Sequence, residues 1–472
     1  MSVTWPLVVV GGGPAGIAAA TEAARAGLRC LLIDEVPSLG GQIYRQLPEG
    51  FRAHDPDALG RDHGRGERLR ARLRRYTGQV EVRCETAVVD ITSDRSLVCT
   101  SPDGALTALS AERLVLATGA YDRPVPFPGW TLPGVLTAGG AQVLLKTMRV
   151  RPGERALVSG TGPLLPVVAG QLHRAGVRVV AVLEAGGSAF RARVLARAWR
   201  QPGLVRDGAR YRLELARAGI PVRYHHSVFA AHGDGAMSSV VYGPVDPGDW
   251  RPVPDRQRRV DVDLLVVGYG FVPNVELCEL AGCRTVYETR LGGWVPVRDS
   301  TMQTTVPGVF AAGDGAGVGG ALVAVQEGRV AGITAAELAG ALSRTEADRR
   351  RRPALRRLRG LAPVRAALDE LSYPRPGLVD LATADTLLCR CEEVTAAQVR
   401  DAVGHGAGDL QAVKLLTRFG MGACQGRTCA PAAAAVLGEL TGRTPAAAGR
   451  INPRPPVKPV SLAALARYER GA

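Results

Sequence analysis

Apolar and polar positions divide the first part of the chain into two short strands and a helix. Residues 7–10 are apolar and predict a buried strand, and the alanine-rich residues 17–20 predict a helix. Between them, residues 11–16 form a glycine-rich turn with the spacing G-x-G-x-x-G. A second apolar run at residues 31–33 ends on Asp34. This order is typical of a βαβ unit that binds a dinucleotide, rather than of a glycine-rich turn that binds nothing.

The glycine turn carries the first set of predicted binding residues. Gly11 permits the tight turn, Gly13 leaves its backbone open to a pyrophosphate, and Gly16 lets the helix pack close to the strand. Free N–H groups at the start of the helix are expected to face the phosphates. Asp34 is expected to accept a hydrogen bond from an adenosine ribose hydroxyl. The predicted contacts of the turn are Gly11, Gly13, Pro14, Ala15 and Gly16.

Two later apolar runs end in turns that distinguish FAD from NAD. Residues 113–120 predict a buried strand with a Thr-Gly turn, and residues 309–314 predict a strand that delivers Asp314. FAD is longer than NAD, and a carboxylate at this position can accept hydrogen bonds from its ribitol. Paired glycines near residue 41 let the backbone run close to a bulky ring. The further predicted contacts are Gly41, Gln42, Thr118, Gly119, Gly313 and Asp314.

In combination, these motifs resemble those of the two-dinucleotide-binding flavoproteins, the superfamily of glutathione and thioredoxin reductases. The resemblance spans residues 6–340 and implies bound FAD. Disulfide reductases of this superfamily also carry a redox-active cysteine pair, either after the paired glycines or in the pyridine-nucleotide domain. The loop after Gly41 has no cysteine, and residues 121–277 contain none. We therefore expect no dithiol chemistry beside the flavin.

The middle of the chain repeats the strand and the glycine turn. Residues 155–160 predict a strand that leads into this turn, and residues 177–183 predict a strand that ends at Glu184. The repeat indicates one nucleotide-binding unit inserted in another.

This second turn departs from the first at its third glycine position. Leu165 stands there and Pro166 follows it, and a bulky side chain at that contact weakens the fit to a pyrophosphate. Glu184 is still suited to hold the ribose of NAD, and its charge disfavours NADP. Two alternatives follow: binding of NAD(H) at Gly160, Gly162 and Glu184, or a retained shell that binds nothing or another nucleotide.

Four of the nine cysteines cluster near the end of the chain as two close pairs. Their spacings are C-x-C and C-x₄-C, and four thiolates in this arrangement fit a [2Fe–2S] cluster. Structural zinc more often uses C-x₂₋₄-C pairs, and the C-x-C pair is too tight for most such sites. Zinc and vestigial or free thiols are the alternatives. Backbone N–H groups at Gly420, Gly422 and Gly426 are available to bond to the sulfides. The predicted ligands are Cys389, Cys391, Cys424 and Cys429.

This cysteine region resembles the bacterioferritin-associated-ferredoxin-like [2Fe–2S] fold. Residues 123–135, 389–394 and 417–429 resemble the corresponding motifs of the A (α) subunit family of opine oxidases. The resemblance to this family covers nearly the whole chain. That family includes the B subunit of hydrogen cyanide synthase and the α subunits of hydroxyproline and proline dehydrogenase, and it is related to part of sarcosine oxidase α. The resemblance implies a separate FAD-containing β-type amine oxidase-like subunit, a small [2Fe–2S] ferredoxin-like subunit that can join it, and a downstream electron acceptor.

Composition changes this picture mainly through charge. The 472 residues suffice for two or three domains, and the net charge of +15 comes mostly from arginine. Basic runs at residues 61–75 and 349–359 are interpreted as solvated helix faces, with a docking face for an acidic partner or an anionic membrane surface as the alternatives. They lack interleaved aromatics, so no nucleic acid is expected as a partner. Without a secretory leader or a transmembrane segment, the protein is predicted to be cytoplasmic, or peripheral at the inner face of the membrane.

We therefore predict an α/β chain with two Rossmann-like dinucleotide-binding domains of the glutathione and thioredoxin reductase kind, the second inserted in the first, and a small helical C-terminal [2Fe–2S] domain. The expected domains are an FAD-binding domain (residues 1–122 and 262–342), an NAD(P)-binding-like domain (123–261), a basic helical linker (343–385), a [2Fe–2S] domain (386–441) and a proline-rich tail (442–472).

The predicted function is that of an FAD- and [2Fe–2S]-dependent oxidoreductase. The chain would be the electron-transfer subunit of a heteromeric dehydrogenase or oxidase that acts on an amine or imino acid of the opine, hydroxyproline, proline or glycine type. One alternative is a self-contained NADH-dependent flavoprotein reductase that passes electrons to its own cluster. The other is a structural scaffold subunit. The sequence predicts no catalytic acid or base.

Overall fold

The computed structural model of the chain describes residues 3–48, 50–51, 60–187, 196–197 and 201–468. The chain forms two compact units. The first contains residues 1–121, 272–362 and 453–472, and the second contains residues 122–271 and 363–452. A basic helix predicted at residues 190–200 lies almost wholly outside the described residues. The domain boundaries predicted from the sequence stay predictions.

The α-helices of the described residues begin and end as follows: α1 (Pro14–Arg25), α2 (Gly60–Leu73), α3 (Ala138–Val143), α4 (Leu164–Arg174), α5 (Pro202–Arg217), α6 (Glu276–Leu280), α7 (Ala321–Leu338), α8 (Arg344–Ser372), α9 (Ala396–Gly404), α10 (Leu410–Thr417), α11 (Ala430–Thr441) and α12 (Leu462–Arg467).

The central sheet of the first unit is built from the apolar runs of the sequence. Its five parallel strands, in spatial order, are β21 (Val309–Ala311), β8 (Leu114–Leu116), β2 (Val8–Val10), β3 (Cys30–Ile33) and β4 (Val80–Arg83). Val9 pairs with Leu32 on one side and with Val115 on the other, so β2 lies in the middle of the sheet. Because the strands are parallel, their carboxyl ends, which carry the predicted binding residues, meet at one edge.

Shorter sheets complete the first unit. A four-stranded sheet contains, in spatial order, β1 (Thr4–Trp5), β7 (Leu106–Ala111), β6 (Ser96–Thr100) and β5 (Val88–Ile91). A two-stranded sheet contains β19 (Thr285–Glu288) and β20 (Gly293–Pro296).

Helices α1 and α7 lie directly against each other through small residues. A Cβ on Gly328 would lie 2.0 Å from the carbonyl oxygen of Ala15, and one on Gly332 would lie 2.2 Å from that of Ala19. Larger residues at these two glycines would push the helices apart, so the glycine- and alanine-rich pattern sets their distance. The contact fixes the start of α1, which is the predicted phosphate-binding end.

The second unit contains a second five-stranded parallel sheet. In spatial order its strands are β10 (Val135–Thr137), β17 (Leu264–Gly268), β11 (Arg155–Gly160), β12 (Arg178–Glu184) and β13 (Val222–Tyr224). The three-stranded antiparallel sheet of this unit consists of β14 (His226–His232), β15 (Ser239–Pro244) and β16 (Arg258–Asp261). Two strands, β9 (Ala120–Asp122) and β18 (Phe271–Pro273), lie where the chain passes between the units. The predicted α/β class with an inserted second dinucleotide-type unit is confirmed.

The cysteine region is small and mainly helical, as predicted. It contains the hairpin of β22 (Leu387–Cys389) and β23 (Val394–Thr395), and the helices α9, α10 and α11. Thr395 and Gln398 form a capping box at the start of α9, in which each side chain bonds to the other residue's backbone N–H. Asp409 caps α10 by accepting a hydrogen bond from the N–H of Ala412 at 2.8 Å.

The proline-rich tail returns to the first unit after residue 452. Residues 453–460 form neither helix nor strand, and the chain then forms α12, which was not predicted. Ser461 caps this helix by accepting a hydrogen bond from the N–H of Ala464 at 3.1 Å. The prolines end before residue 460, so they do not prevent this helix.

Candidate functional site

The first glycine turn leaves one face of its backbone open. A Cβ on Gly11, which has a φ of +104°, would lie 2.3 Å from the carbonyl oxygen of Ala117. A Cβ on Gly16 would lie 1.8 Å from the carbonyl oxygen of Gly11, so only glycine fits where α1 meets the sheet. Among the described residues, a Cβ on Gly13 would meet only the Cα of Gly41, at 3.8 Å. The open side of Gly13 is the space that a pyrophosphate needs.

Helix α1 begins directly at this open side. Pro14 is its first residue, where a missing N–H is tolerated, and Gly13 provides no side-chain cap. The N–H groups of the first turn therefore remain suited to an anion, and the helix dipole favours one there. Ala15 is buried against α7.

Asp34 lies at the end of β3, beside the glycine turn. Its carboxylate accepts hydrogen bonds from the N–H of Gly12 and, at 2.9 Å, from that of Val36. Burial raises the pKa of Asp34 above its ordinary value of 3.8, while these two hydrogen bonds and the charges of Lys458 and Arg45 lower it. The carboxylate therefore occupies the strand end at which this kind of fold holds an adenosine ribose.

The turns after β8 and β21 lie side by side. Thr118 donates a hydrogen bond from Oγ1 to the carbonyl oxygen of Asn274 at 2.6 Å. A Cβ on Gly315 would lie 2.6 Å from that Oγ1 and 3.1 Å from the nitrogen of Gly119. The structure thus brings the predicted Thr-Gly turn next to the loop that contains Asp314.

Asp314 is oriented by the loop that follows it. Its Oδ1 accepts hydrogen bonds from the N–H groups of Gly319 and Gly320, both at 2.9 Å. Gly313 has a φ of +77°, and a Cβ there would lie 2.8 Å from the Cβ of Ala15. The predicted ribitol-binding carboxylate therefore follows a turn that contacts the start of α1.

The sequence reasoning missed an ion pair that supports this turn. Glu327 and Arg298 form two parallel hydrogen bonds, of 3.0 and 2.7 Å. Glu327 also accepts the N–H of Gly313 at 2.9 Å, and Arg298 donates to the carbonyl oxygen of Ala311 at 2.9 Å. The available signal was a glutamate within an otherwise apolar helix, since a charge that is only 4% exposed requires a partner.

The two predicted residues of the paired-glycine loop, Gly41 and Gln42, differ in whether they lie against the glycine turn. A Cβ on Gly41 would lie 2.9 Å from the Cα of Gly13, so this loop lies on the glycine turn. Gln42 is exposed, and its Oε1 accepts a hydrogen bond from Nε of Arg45 at 3.1 Å.

In the second glycine turn, too, a carboxylate accepts a backbone N–H from the turn, but the close packing of the first turn is absent. Glu184 accepts the N–H groups of Gly162 at 3.2 Å and of Gly186 at 3.1 Å. Leu165 is fully buried, and its Cδ2 would lie 3.1 Å from a Cβ on Gly268. The leucine therefore fills the space beneath the helix that a third glycine would leave to the backbone.

Two aromatic rings border the loop after Glu184. Trp250 is buried, and its Cζ2 would lie 3.8 Å from a Cβ on Gly186. The imidazole of His225 would lie 2.8 Å from a Cβ on Gly187. These rings lie beside the loop that follows the carboxylate of Glu184.

The four clustered cysteines come together within the second unit. Cys389 ends β22, Cys391 follows it, and Cys424 and Cys429 precede α11. The Cys429 thiol lies within hydrogen-bonding reach of Cys389 and of Cys424. Cys391 lies within the same reach of Cys424. All four predicted ligands are therefore neighbours.

Hydrogen bonds favour the thiolate form of two of them. The pKa of Cys389 is lowered to about 6, mainly by a hydrogen bond from the Cys429 thiol. Burial opposes this shift, and the backbone N–H of Gly420 adds to it. The Cys429 thiol and backbone N–H groups, including that of Gly426, lower the pKa of Cys424. The pKa of Cys429 is raised because its proton is shared with these two neighbours.

No three His, Cys, Asp or Glu side chains of the described residues converge on a point that would hold a single metal ion. Three glycines nevertheless pack closely in the region of the four sulfurs. A Cβ on Gly422 would lie 2.1 Å from the Cβ of Cys391, and Gly420 and Gly426 both pack on Ile451.

Comparison with known proteins agrees with this geometry. The family model for pyridine nucleotide-disulphide oxidoreductases matches residues 5–328, and that for the sarcosine oxidase A3 domain matches residues 385–468. The HcnB subunit of hydrogen cyanide synthase from Pseudomonas aeruginosa is 38% identical over 97% of both chains. The A subunit of opine oxidase from Agrobacterium tumefaciens is 36% identical over 100% of this chain and 93% of its own length.

The chain belongs to this family of flavin oxidoreductase subunits. The alpha subunit of sarcosine oxidase from Corynebacterium is 28% identical over 98% of this chain but only 45% of its own length. The fold is also that of L-proline dehydrogenase from P. horikoshii, which has 23% identity, a TM-score of 0.71, and a match over 99% of this chain and 80% of its own. The predicted family and enzyme class are confirmed.

Among the described residues, no helix is both long enough and apolar enough to cross a membrane.

Proposed function

We propose that this chain is the FAD- and [2Fe–2S]-containing electron-transfer subunit of a heteromeric dehydrogenase or oxidase that acts on the C–N bond of an amine or imino acid. One observation carries the proposal: a single chain combines an FAD-type cradle that lacks a neighbouring dithiol with four adjacent cysteines. The relatives named as subunits of opine oxidase, hydrogen cyanide synthase and sarcosine oxidase support a heteromer and this substrate class.

The proposed flavin site uses the residues at the strand ends of the first unit. The backbone of Gly13 and the start of α1 would hold the pyrophosphate, and Asp34 would hold the adenosine ribose. Asp314 would accept hydrogen bonds from the ribitol, beside the turn of Thr118. The open face of Gly13 supports this fit, because a Cβ there would enter the proposed phosphate position.

The proposed cluster site uses the four neighbouring sulfurs of the second unit. A [2Fe–2S] cluster takes four thiolates. Two metal atoms share these ligands, so the ligands need not converge on the point that a single ion requires. Backbone N–H groups of Gly420 and Gly426 lie within hydrogen-bonding reach of the Cys389 and Cys424 sulfurs, which supports the fit.

When bound, FAD would supply hydride-type chemistry and the cluster would supply one-electron transfer. The chain's own residues would hold and orient these groups, and we propose no acid or base. Substrate oxidation would occur on a separate FAD-containing β-type subunit, and this chain would pass the electrons to a downstream acceptor. A small ferredoxin-like subunit is a further candidate partner.

A second candidate function is that of an NADH-dependent reductase. The carboxylate of Glu184 favours it, because it accepts a backbone N–H from its glycine turn, as Asp34 does. The buried Leu165 and the rings of Trp250 and His225 oppose it. Anaerobic addition of NADH to the purified chain separates the two candidates. We expect the flavin absorbance to persist, and rapid bleaching would support the reductase instead.

Copurification tests the heteromeric part of the proposal. The tagged chain should retain a β-type flavoprotein when both are expressed together, and the pair should oxidise an amine or imino acid with an artificial electron acceptor. The separate chain should show no such oxidation. Substrate oxidation by this chain without a partner would contradict the proposal.

A further inference from the structure

The C-terminal tail is anchored to the first unit next to the proposed flavin site. Val457 is only 2% exposed and belongs to the same hydrophobic core as Ile91 and Leu116. Its N–H donates a hydrogen bond to the carbonyl oxygen of Val89 at 2.8 Å. An apolar side chain buried in the core and a backbone hydrogen bond hold the tail at this point.

This anchor carries Lys458 to the two carboxylates that follow β3. Its ammonium group pairs with Glu35, and its side chain is 31% exposed. Burial lowers the pKa of Lys458, and the negative charge of Asp34 raises it. Lys458 therefore lies within electrostatic reach of the carboxylate that is proposed to hold the ribose.

The same place is where the loops after β3 and β4 meet. The N–H of Thr86 donates to the carbonyl oxygen of Asp34 at 2.9 Å, and the N–H of Glu85 donates to that of Val36 at 3.3 Å. In a dinucleotide fold, the adenosine lies at the carboxyl end of the second strand. Lys458 is the residue that the tail adds to this end.

We propose that Lys458 is a binding residue for the adenosine end of FAD, and that the tail retains the dinucleotide through it. The inference rests on the proposed FAD site. The ammonium group offsets the charge of Glu35, which would otherwise stand beside Asp34 and repel the phosphates of the incoming dinucleotide. It also brings an N–H donor to the adenosine moiety.

The sharpest test compares ligands with and without adenosine. In Lys458→Met, the dissociation constant of FAD, measured by flavin fluorescence on the apoprotein, should rise about tenfold, as expected for loss of a charged hydrogen-bonding group. Binding of AMP should weaken by a similar factor. Binding of FMN, which carries a phosphate but lacks adenosine, should weaken by a smaller factor. Lys458→Arg should retain most of the affinity, and the matched control Lys414→Met, on α10 of the second unit, should equal the wild type.

The outcomes separate this inference from the proposed function. A wild-type chain that binds no FAD would overturn both. A wild-type chain that binds FAD, with an unchanged FAD dissociation constant in Lys458→Met, would overturn the role of Lys458 alone. Equal weakening of FAD and FMN would also overturn it, because that result would indicate a general loss of structure.

Discussion

The two glycine turns of the chain begin alike and differ in what they leave open. In both, a carboxylate at the end of the next strand accepts a backbone N–H from the turn: Asp34 from Gly12, and Glu184 from Gly162. The first turn has Gly16 at its third glycine position, whereas the second has Leu165, which is fully buried. The difference therefore lies in the packing between strand and helix, not in the carboxylate.

The residues that surround the two turns also differ. A Cβ on Gly13 would meet little of the chain, so that backbone face is open. The loop after Glu184 is bordered by Trp250 and His225. We propose that the first turn, rather than the second, binds the flavin.

Substitutions at the third glycine position of each turn should have the largest effect. In Gly16→Leu, the side chain would enter the space already filled by the carbonyl oxygen of Gly11, and FAD should be absent from the purified protein. In Leu165→Ala, we expect a loss of about 2–5 kcal/mol in unfolding free energy, because a buried leucine is truncated, but normal FAD content. Flavin absorbance and chemical unfolding measure both. Loss of FAD in Leu165→Ala would indicate that the second turn also supports the flavin.

Removing one partner of the ion pair behind Asp314 should have the next largest effect. In Glu327→Gln, the guanidinium of Arg298, whose side chain is 15% exposed, loses its counter-charge, and we expect a cost of about 3 kcal/mol in unfolding free energy. FAD affinity should fall as well, since Glu327 also holds the N–H of Gly313. Glu346→Gln, which alters an exposed pair, is the control and should leave FAD affinity unchanged. Normal FAD affinity in Glu327→Gln would show that this ion pair does not support the proposed FAD site.

Neutralising the two strand-end carboxylates compares the turns directly. Asp34→Asn should weaken FAD binding about tenfold to a hundredfold, because a charged hydrogen-bond acceptor for the ribose is lost. Glu184→Gln should leave FAD binding unchanged. Titration of the two apoproteins with FAD measures this difference. Equal weakening by both substitutions would contradict the assignment of FAD to the first turn.

The smallest effect is expected from pH. Burial raises the pKa of Asp34 above 3.8, and the carboxyl accepts a ribose hydroxyl most strongly when ionised. FAD affinity should therefore fall as the pH falls through this raised pKa, so the decline begins above the range of an ordinary aspartate. The Asp34→Asn variant should lack this component of the pH profile. An identical acid profile in the variant would assign the decline to other groups.

The sequence predicted those parts of the site that lie in contiguous motifs. The strands before Asp34 and Asp314 are short apolar runs with a glycine turn, so local pattern determines both the element and the position of the carboxylate. The four cysteines were predicted for the same reason, because their spacing limits the donor sets that they can form. The four cysteine side chains are neighbours in the structure, and their role as ligands stays a prediction.

Other parts depend on contacts between distant segments, which no local pattern encodes. The pair of Arg298 and Glu327, the rings beside Gly186, and the approach of Lys458 to Glu35 became visible only in the folded chain. Helix α12 was missed because the prolines before it dominated the composition of the tail.

The most direct test of the account is the redox content of the purified chain. We predict bound FAD together with equimolar iron and acid-labile sulfide, and an electron paramagnetic resonance signal of a reduced [2Fe–2S] cluster after anaerobic addition of dithionite. Cysteine-to-serine substitution at Cys424 should abolish that signal and leave the FAD in place. A chain that contains FAD but no iron, or zinc at the four cysteines, would contradict the assignment of electron transfer to this protein.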